Sequence, residues 1–227
     1  MTAPRFDIYA PIHKAFRMLM TETLVAVGRV DEHDLPQVEQ TLGQVGRLLA
    51  FCRMHVEDEN RFVHSAILAR RPAGALQTQQ DHEHHLADIA ALEALAAEAG
   101  AATGPALAQR LHQLYRLLAR FVGENLLHME VEEQENNAAL WSLYGDQEIL
   151  AIHDQILASL PPEAAMAGLV MIVQASRPSE RAQMLGGMAR TMPAPAFDAV
   201  LEAIRPALSP LDRQKLSLAL EQQALAA

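Results

Sequence analysis

Cysteine is almost absent from this chain of 227 residues: Cys52 stands alone, so no internal disulfide can form and a disulfide-stapled fold is excluded. Aromatic residues are also scarce at 4%, while alanine and leucine dominate a sequence that is 50% hydrophobic. That balance favours helices over a β-sandwich, which draws on β-branched and aromatic residues. Long apolar runs are missing: stretches such as Leu169-Val-Met-Ile-Val173 fall far short of the roughly 20 residues that span a bilayer. Positive charge is in deficit, with 18 Lys and Arg against 28 Asp and Glu and a formal net charge of −10. The basic residues are scattered, so there is no broad attraction to nucleic-acid phosphates or anionic lipid. The opening MTAPRFDIYA has no basic segment followed by an apolar run. These absences predict a soluble, cytoplasmic, all-α protein with neither nucleic acid nor membrane as partner.

Four long helical patterns fill the first two thirds. The first covers about residues 11–27, with His13, Phe16, Met20, Leu24 and Val27 spaced by three and four before Gly28 stops it. Asp34 caps a second, with Pro36 in its first turn, and Val38, Leu42, Val45, Leu49, Cys52, Phe62 and Ile67 carry a buried side to about residue 69. Arg70-Arg-Pro-Ala-Gly74 breaks the chain. A third helix is expected over about 76–99, closed by Gly100 and Thr103-Gly104-Pro105, and a fourth from about 105 to 143, closed by Gly145. Four helices with short connections predict an up-down bundle over residues 1–145. From 146 to 227 the texture changes to shorter elements punctuated by Pro161-Pro162, Pro178, Gly186-Gly187, Pro193, Pro195, Pro206 and Pro210, which predicts a helical C-terminal extension. Its apolar runs must bury against something, and self-association or a protein partner is one use for them.

Helices two and four share a local pattern, His55-Val-Glu-Asp-Glu59 and His128-Met-Glu-Val-Glu132. A His and a Glu four residues apart lie about 40° apart around an α-helix, so both can face one interior point. Both His lie close to the apolar stripe, where unpaired imidazoles and carboxylates cost several kcal/mol each; a pair of divalent cations would neutralise them. His13 shares the stripe of Phe16, Met20 and Leu24. On helix three, within Asp81-His-Glu-His-His85, the apolar direction set by Leu86, Ile89, Leu92 and Ala96 lies within about 40° of both His82 and His85, whereas His84 points away. His85 is the preferred ligand, with His82 a second or alternative one and Asp81 at the stripe's edge. The candidate metal ligands are therefore His13, His55, Glu59, His82, His85, His128 and Glu132.

This order, a His, a His-x-x-x-Glu, a helix-three His and a second His-x-x-x-Glu, resembles the hemerythrin-like, HHE cation-binding family. The stretch Glu59-Asn-Arg-Phe-Val-His-Ser-Ala-Ile-Leu68 is similar to that family's habit of following the ligand Glu with aromatic and aliphatic anchors. The resemblance covers roughly residues 7–145. It implies two non-haem iron ions bridged by Glu59 and Glu132 and capped by the His residues. Oxygen-carrying members place a second His four residues before the helix-three ligand and a carboxylate five after the helix-four His. Here those positions hold Asp81 and Glu133, which moves the chain towards HHE-type proteins associated with iron, nitric oxide or redox responses.

Taken singly, each residue has an ordinary explanation. A lone interior His is commonly a hydrogen-bonded core residue, and His-Glu pairs at a spacing of four are common on solvated helix faces. Glu57, Asp58, Glu130 and Glu133 read as such faces, with Glu133 the nearest to an outer-sphere role; His33, His64, His112 and His153 receive no functional role. Glu124, Asn125 and Glu135 are candidates to orient the imidazoles. Cys52 reads as a small hydrophobe that can line the pocket, and Met18, Met20 and Met54 as core. Nitrogen and oxygen donors without thiolate suit iron or manganese, and accept zinc. Three functions fit: binding or sensing of a small diatomic such as oxygen or nitric oxide, or of a redox signal; a di-iron enzyme or iron donor acting on nitric oxide or peroxide or repairing iron centres; and a structural helical interaction domain.

Overall fold

The first helix, α1 (Ala10–Gly28), begins where the Asp7 carboxylate accepts hydrogen bonds from the Tyr9 and Ala10 amides at 3.0 and 2.9 Å and Pro11 presets the first turn. A computed structural model describes residues 5–72 and 74–225; the first four residues of the N-terminal stretch, Ala73 in the expected break and the last two residues lie outside it. The described residues are all-α, without a strand among them. No helix among them is long and apolar enough to cross a membrane.

Asp34 caps α2 (Leu35–Asp58) as expected, its side chain accepting from the Gln37 amide at 3.1 Å. The expected single α-helix to residue 69 is interrupted, however, by a π-helical segment, Glu59–His64, before α3 (Ser65–Arg70). α4 (Leu76–Ala101) and α5 (Gly104–Val131) follow, the latter entered through Gly104 at a φ of 55°, a left-handed conformation that glycine adopts without strain. The fourth expected helix is likewise interrupted, by a π-helical segment at Glu132–Asn136 that leads into α6 (Asn137–Leu143). α1 packs against α2 and α5, and α4 against the same two helices. Gly28 ends α1 hard against α5, where a Cβ would come within 2.8 Å of the Tyr115 ring.

Besides a small cluster of Val38, Ala99, Leu107 and Leu111, the apolar interior of this unit has two larger layers. One holds Phe16, Met20, Leu48, Leu49, Ile89, Leu92, Leu118 and Phe121. The other holds Ile8, Tyr9, Val63, Ile67, Leu140, Ile149 and Ile152. Burying each large apolar side chain contributes about 1.5–3 kcal/mol. Along every long rod the order is the same: second layer, then His13, or Glu59, or His82, or Glu132, then first layer. The polar residues singled out in the sequence are thus enclosed above and below by hydrocarbon.

α7 (Asp146–Ser159) belongs to this unit, because Ile149 and Ile152 are buried in its second layer. The chain divides between Ala158 and Ser159, later than the boundary at 146 expected from the change in texture. The second unit contains α8 (Pro162–Ala175), α9 (Pro178–Thr191), α10 (Ala194–Ile204), a short 3₁₀ turn (Arg205–Ala207) and α11 (Pro210–Leu225). Its core is Val173, Leu185, Val200, Ile204, Leu208 and Leu216. The buried Arg181 guanidinium donates to the Val173 and Gln174 carbonyls at 2.6 and 3.0 Å and pairs with Asp212 at 2.8 Å, satisfying the carbonyl end of α8.

Candidate metal centre

Glu59 and Glu132 meet in the middle of the first unit, 3% and 0% exposed. His13 Nε2 lies 3.6 Å from Glu59 Oε1 and 3.5 Å from Glu132 Oε2, and His55 Nε2 lies 3.3 Å from Glu59 Oε1. On the other side, His82 Nε2 lies 3.4 Å from Glu59 Oε2 and 3.6 Å from Glu132 Oε1, while His128 Nε2 lies 3.2 Å from Glu132 Oε2 and 2.9 Å from His82 Nε2. Two groups result, His13, His55, Glu59 and Glu132, and Glu59, His82, His128 and Glu132, with the donor atoms of each within 4.8 Å of one another. Donors bound to one ion at about 2.0–2.2 Å lie at most about 4.4 Å apart, so a slight inward adjustment closes each group on an ion. Both carboxylates belong to both groups.

Outside the groups, the other nitrogen of His13, of His82 and of His128 faces a polar partner. A neutral imidazole carries a proton on one nitrogen and a lone pair on the other. His13 Nδ1 faces Glu133 Oε1 at 3.1 Å, and Glu133 is held by Arg17 at 2.6 Å. His82 Nδ1 faces Asn60 Oδ1 at 2.9 Å, and His128 Nδ1 faces Asp81 Oδ2 at 3.4 Å. In a neutral ring each acceptor would hold the proton on Nδ1 and leave the Nε2 lone pair facing inward. Inside, His13 Nε2, Glu59 Oε2 and Glu132 Oε2 are buried without a hydrogen-bond partner. Two buried carboxylates that face one another across four imidazoles gain from added positive charge, and the set of nitrogens and carboxylate oxygens fits a cation.

Electrostatics follow from this crowding. Burial pushes the His13 imidazole down, but Glu133 and Glu59 outweigh it and raise it to about 9. Burial lowers His55 to about 4, and burial together with His128 lowers His85 to about 4. Glu132 is pushed up by burial and by Glu59, yet His128 and His64 bring it to about 2. Tyr9, buried beside Asn136, is raised by burial and by the charge on Glu132. The Cys52 thiol is raised by burial alone and packs in the first apolar layer.

Six of the seven residues expected as ligands come together in the two groups, and His85 does not. His82 takes the position for which His85 was preferred. The angular argument could not separate them because both face inward; three residues further along α4, His85 is displaced by about 4.5 Å along the axis. Its ring packs edge-on against His128 at 4.7 Å, next to Phe121. An open cleft of ≈440 Å³ lies alongside, lined by Asp81, His84, His85, Asp88, Arg120 and His128 among others. The partners expected to orient the imidazoles are corrected too: Asn125 donates to the Phe121 carbonyl of its own helix, and Glu124 and Glu135 are exposed.

The sequence reading missed His64 and Asn60. An α-helix would carry His64 about 140° round from Glu59 and out of the interior. In a π turn, closed by i→i+5 bonds, the residue five along stands where the α-helix puts the one four along. His64 is thereby fully buried, its ring stacked on His82 at 4.8 Å, its Nδ1 3.1 Å from Asn60 Oδ1 and its Nε2 3.3 Å from Glu132 Oε1. The available signal was a repeated spacing, for His64 and Asn137 each stand five residues after an expected ligand Glu. No family model, no curated protein and no solved structure matches this chain.

Proposed function

We propose that the first unit is a hemerythrin-like four-helix bundle that holds a pair of non-haem metal ions, bridged by Glu59 and Glu132, and that it binds or senses a small diatomic molecule or a redox signal. The observation that supports this reading most strongly is the sharing of two buried carboxylates by two pairs of imidazoles. An ion on each side would be held by His13 and His55 on one and by His82 and His128 on the other. Iron is the preferred metal and manganese or zinc the competitors, because the donors are imidazole nitrogen and carboxylate oxygen without thiolate. A bound iron pair supplies redox chemistry and affinity for small ligands. The chain's own residues supply four donors per group, fewer than an octahedral ion accepts, and two apolar layers that exclude water. The cleft bordered by His85 and His128 gives a small molecule an approach to one end of the site.

The test is the metal content of protein purified without oxygen from iron-supplied cells, beside the double variant His128→Ala, Glu132→Ala. About two ions per chain in the parent and clearly fewer in the variant are expected. Little metal in the parent, or equal content in both, overturns the reading in favour of a helical interaction domain.

A further inference from the structure

We propose that His64, presented by the π turn after Glu59, is a third imidazole ligand for the ion held by His82, His128, Glu59 and Glu132. The inference rests on the metal-binding reading above and adds to it a residue outside both four-membered groups.

The argument is one of proton accounting. Asn60 Oδ1 lies 3.1 Å from His64 Nδ1 and 2.9 Å from His82 Nδ1. An amide oxygen only accepts, so each ring places its proton on Nδ1 and both Nε2 atoms are lone pairs. One carboxamide thus sets the tautomer of two stacked imidazoles at once. His64 Nε2 faces the carboxylate oxygen Glu132 Oε1 at 3.3 Å, and His82 Nε2 lies 3.6 Å from the same oxygen, 3.4 Å from Glu59 Oε2 and 2.9 Å from His128 Nε2. Asn136 Nδ2, at 3.4 Å, is a donor facing His64 Nε2, but it also faces the Tyr9 hydroxyl and Thr78 Oγ1 at 3.3 Å each, so its two protons serve three acceptors. A fully buried imidazole with its lone pair turned to a carboxylate is costly, and a cation between them removes that cost.

The π turn explains how the residue is spared for this. Its wider turn rotates His64 inward without shifting Val63 and Ile67 from the second apolar layer. Such turns inside α-helices are frequent at functional sites. The two ends of the centre then differ: His13 and His55 on one ion, His64, His82 and His128 on the other.

The experiment is titration of the full, metal-stripped chain with Co(II), comparing the parent with His64→Gln and Asn60→Ala. In the parent, NMR of the loaded protein should show a paramagnetically shifted, exchangeable imidazole N–H from His64 alongside those of the other ligands. The His64→Gln protein should lose that signal and bind one of its ions about 10–100-fold more weakly, with the other unchanged; Asn60→Ala should weaken the same ion. If the parent takes up two ions and His64→Gln takes up both with unaltered affinity, His64 is only an ion-pair partner of Glu132: this inference falls and the metal-binding reading stands. If the parent takes up none, both fall. Should His64→Gln fold poorly by circular dichroism, the parent spectrum decides alone: absence of the His64 signal among the shifted resonances overturns the assignment.

Discussion

The two compact units are made of the same helical material and differ in what they bury. The second encloses Val173, Leu185, Val200, Ile204 and Leu216 and, among its described residues, one buried ionisable group, Arg181, whose guanidinium is met by two carbonyls and Asp212. The first encloses His13, Glu59, His64, His82, His128 and Glu132 between two hydrocarbon layers, with several of their polar atoms unpartnered. An apolar interior is complete once it excludes water, whereas converging carboxylates and imidazoles cost several kcal/mol each until positive charge joins them. Stability alone accounts for the second interior. The first gathers carboxylates and imidazoles that could hold a metal ion.

The largest break in this comparison should come from Glu132→Ala. Because Glu132 belongs to both groups, elemental analysis should find bound metal reduced from about two ions per chain towards none, whereas His55→Ala should reduce it by about one. Loss of a single ion in Glu132→Ala would show that the carboxylate serves one side only.

Leu185→Ala should act in the opposite sense. Leu185 is fully buried in the second unit, so its truncation should cost that unit about 2–5 kcal/mol, read by denaturant unfolding or by hydrogen exchange in α9. Metal content should be unchanged; a fall would mean that the two units do not act independently.

Acidity should separate them more gently. In metal-free protein His55 and His85 stay neutral to about 4 in the fold, while the unfolded chain takes up protons near 6.5. The unfolded state binds more protons in that window, so the first unit loses stability as pH falls from about 6.5 to about 4. His13 acts in the other direction: raised to about 9, it contributes stability that is full below about 6.5 and is lost as pH rises through about 9. Hydrogen exchange at several pH values should show α2 and α4 most protected near the middle of this range, with α8 to α11 nearly level across it. Equal pH dependence in both units would remove the buried imidazoles as its source.

Arg181→Met, the smallest effect, should cost about 1–3 kcal/mol in the second unit, the penalty of two carbonyls left without their donor, measured by thermal unfolding of the metal-loaded chain. A neutral result would mean that water satisfies the end of α8.

Much of the cluster was legible because its His and Glu residues recur within single helices. His55 and Glu59, and His128 and Glu132, declare themselves through a spacing of four, which local geometry alone turns to one face. His13 shares its stripe with Phe16 and Met20 for the same reason. The choice between His82 and His85 was not legible, since direction around an axis says nothing of height along it, and height depends on how α4 slides against α2 and α5. The pairing of Asp81 with His128 was hidden for a related reason, since the two stand on different helices, whereas Glu133, singled out for an outer role, does face His13. α7 looked like the start of the extension because Gly145 precedes it, but Ile149 and Ile152 are buried with residues from α3 and α6.

By itself the sequence determined an all-α chain, the positions where its helices start and stop, and a set of His and Glu residues on apolar faces, because capping, periodicity and charge burial are decided within a few residues. Only the tertiary structure decided the axial register that makes Glu59 and Glu132 common to two groups, and the π turn that brings His64 inward. Those depend on how rods of side chains interlock across the interior, and a single extra residue in a turn rotates everything beyond it by about 100°.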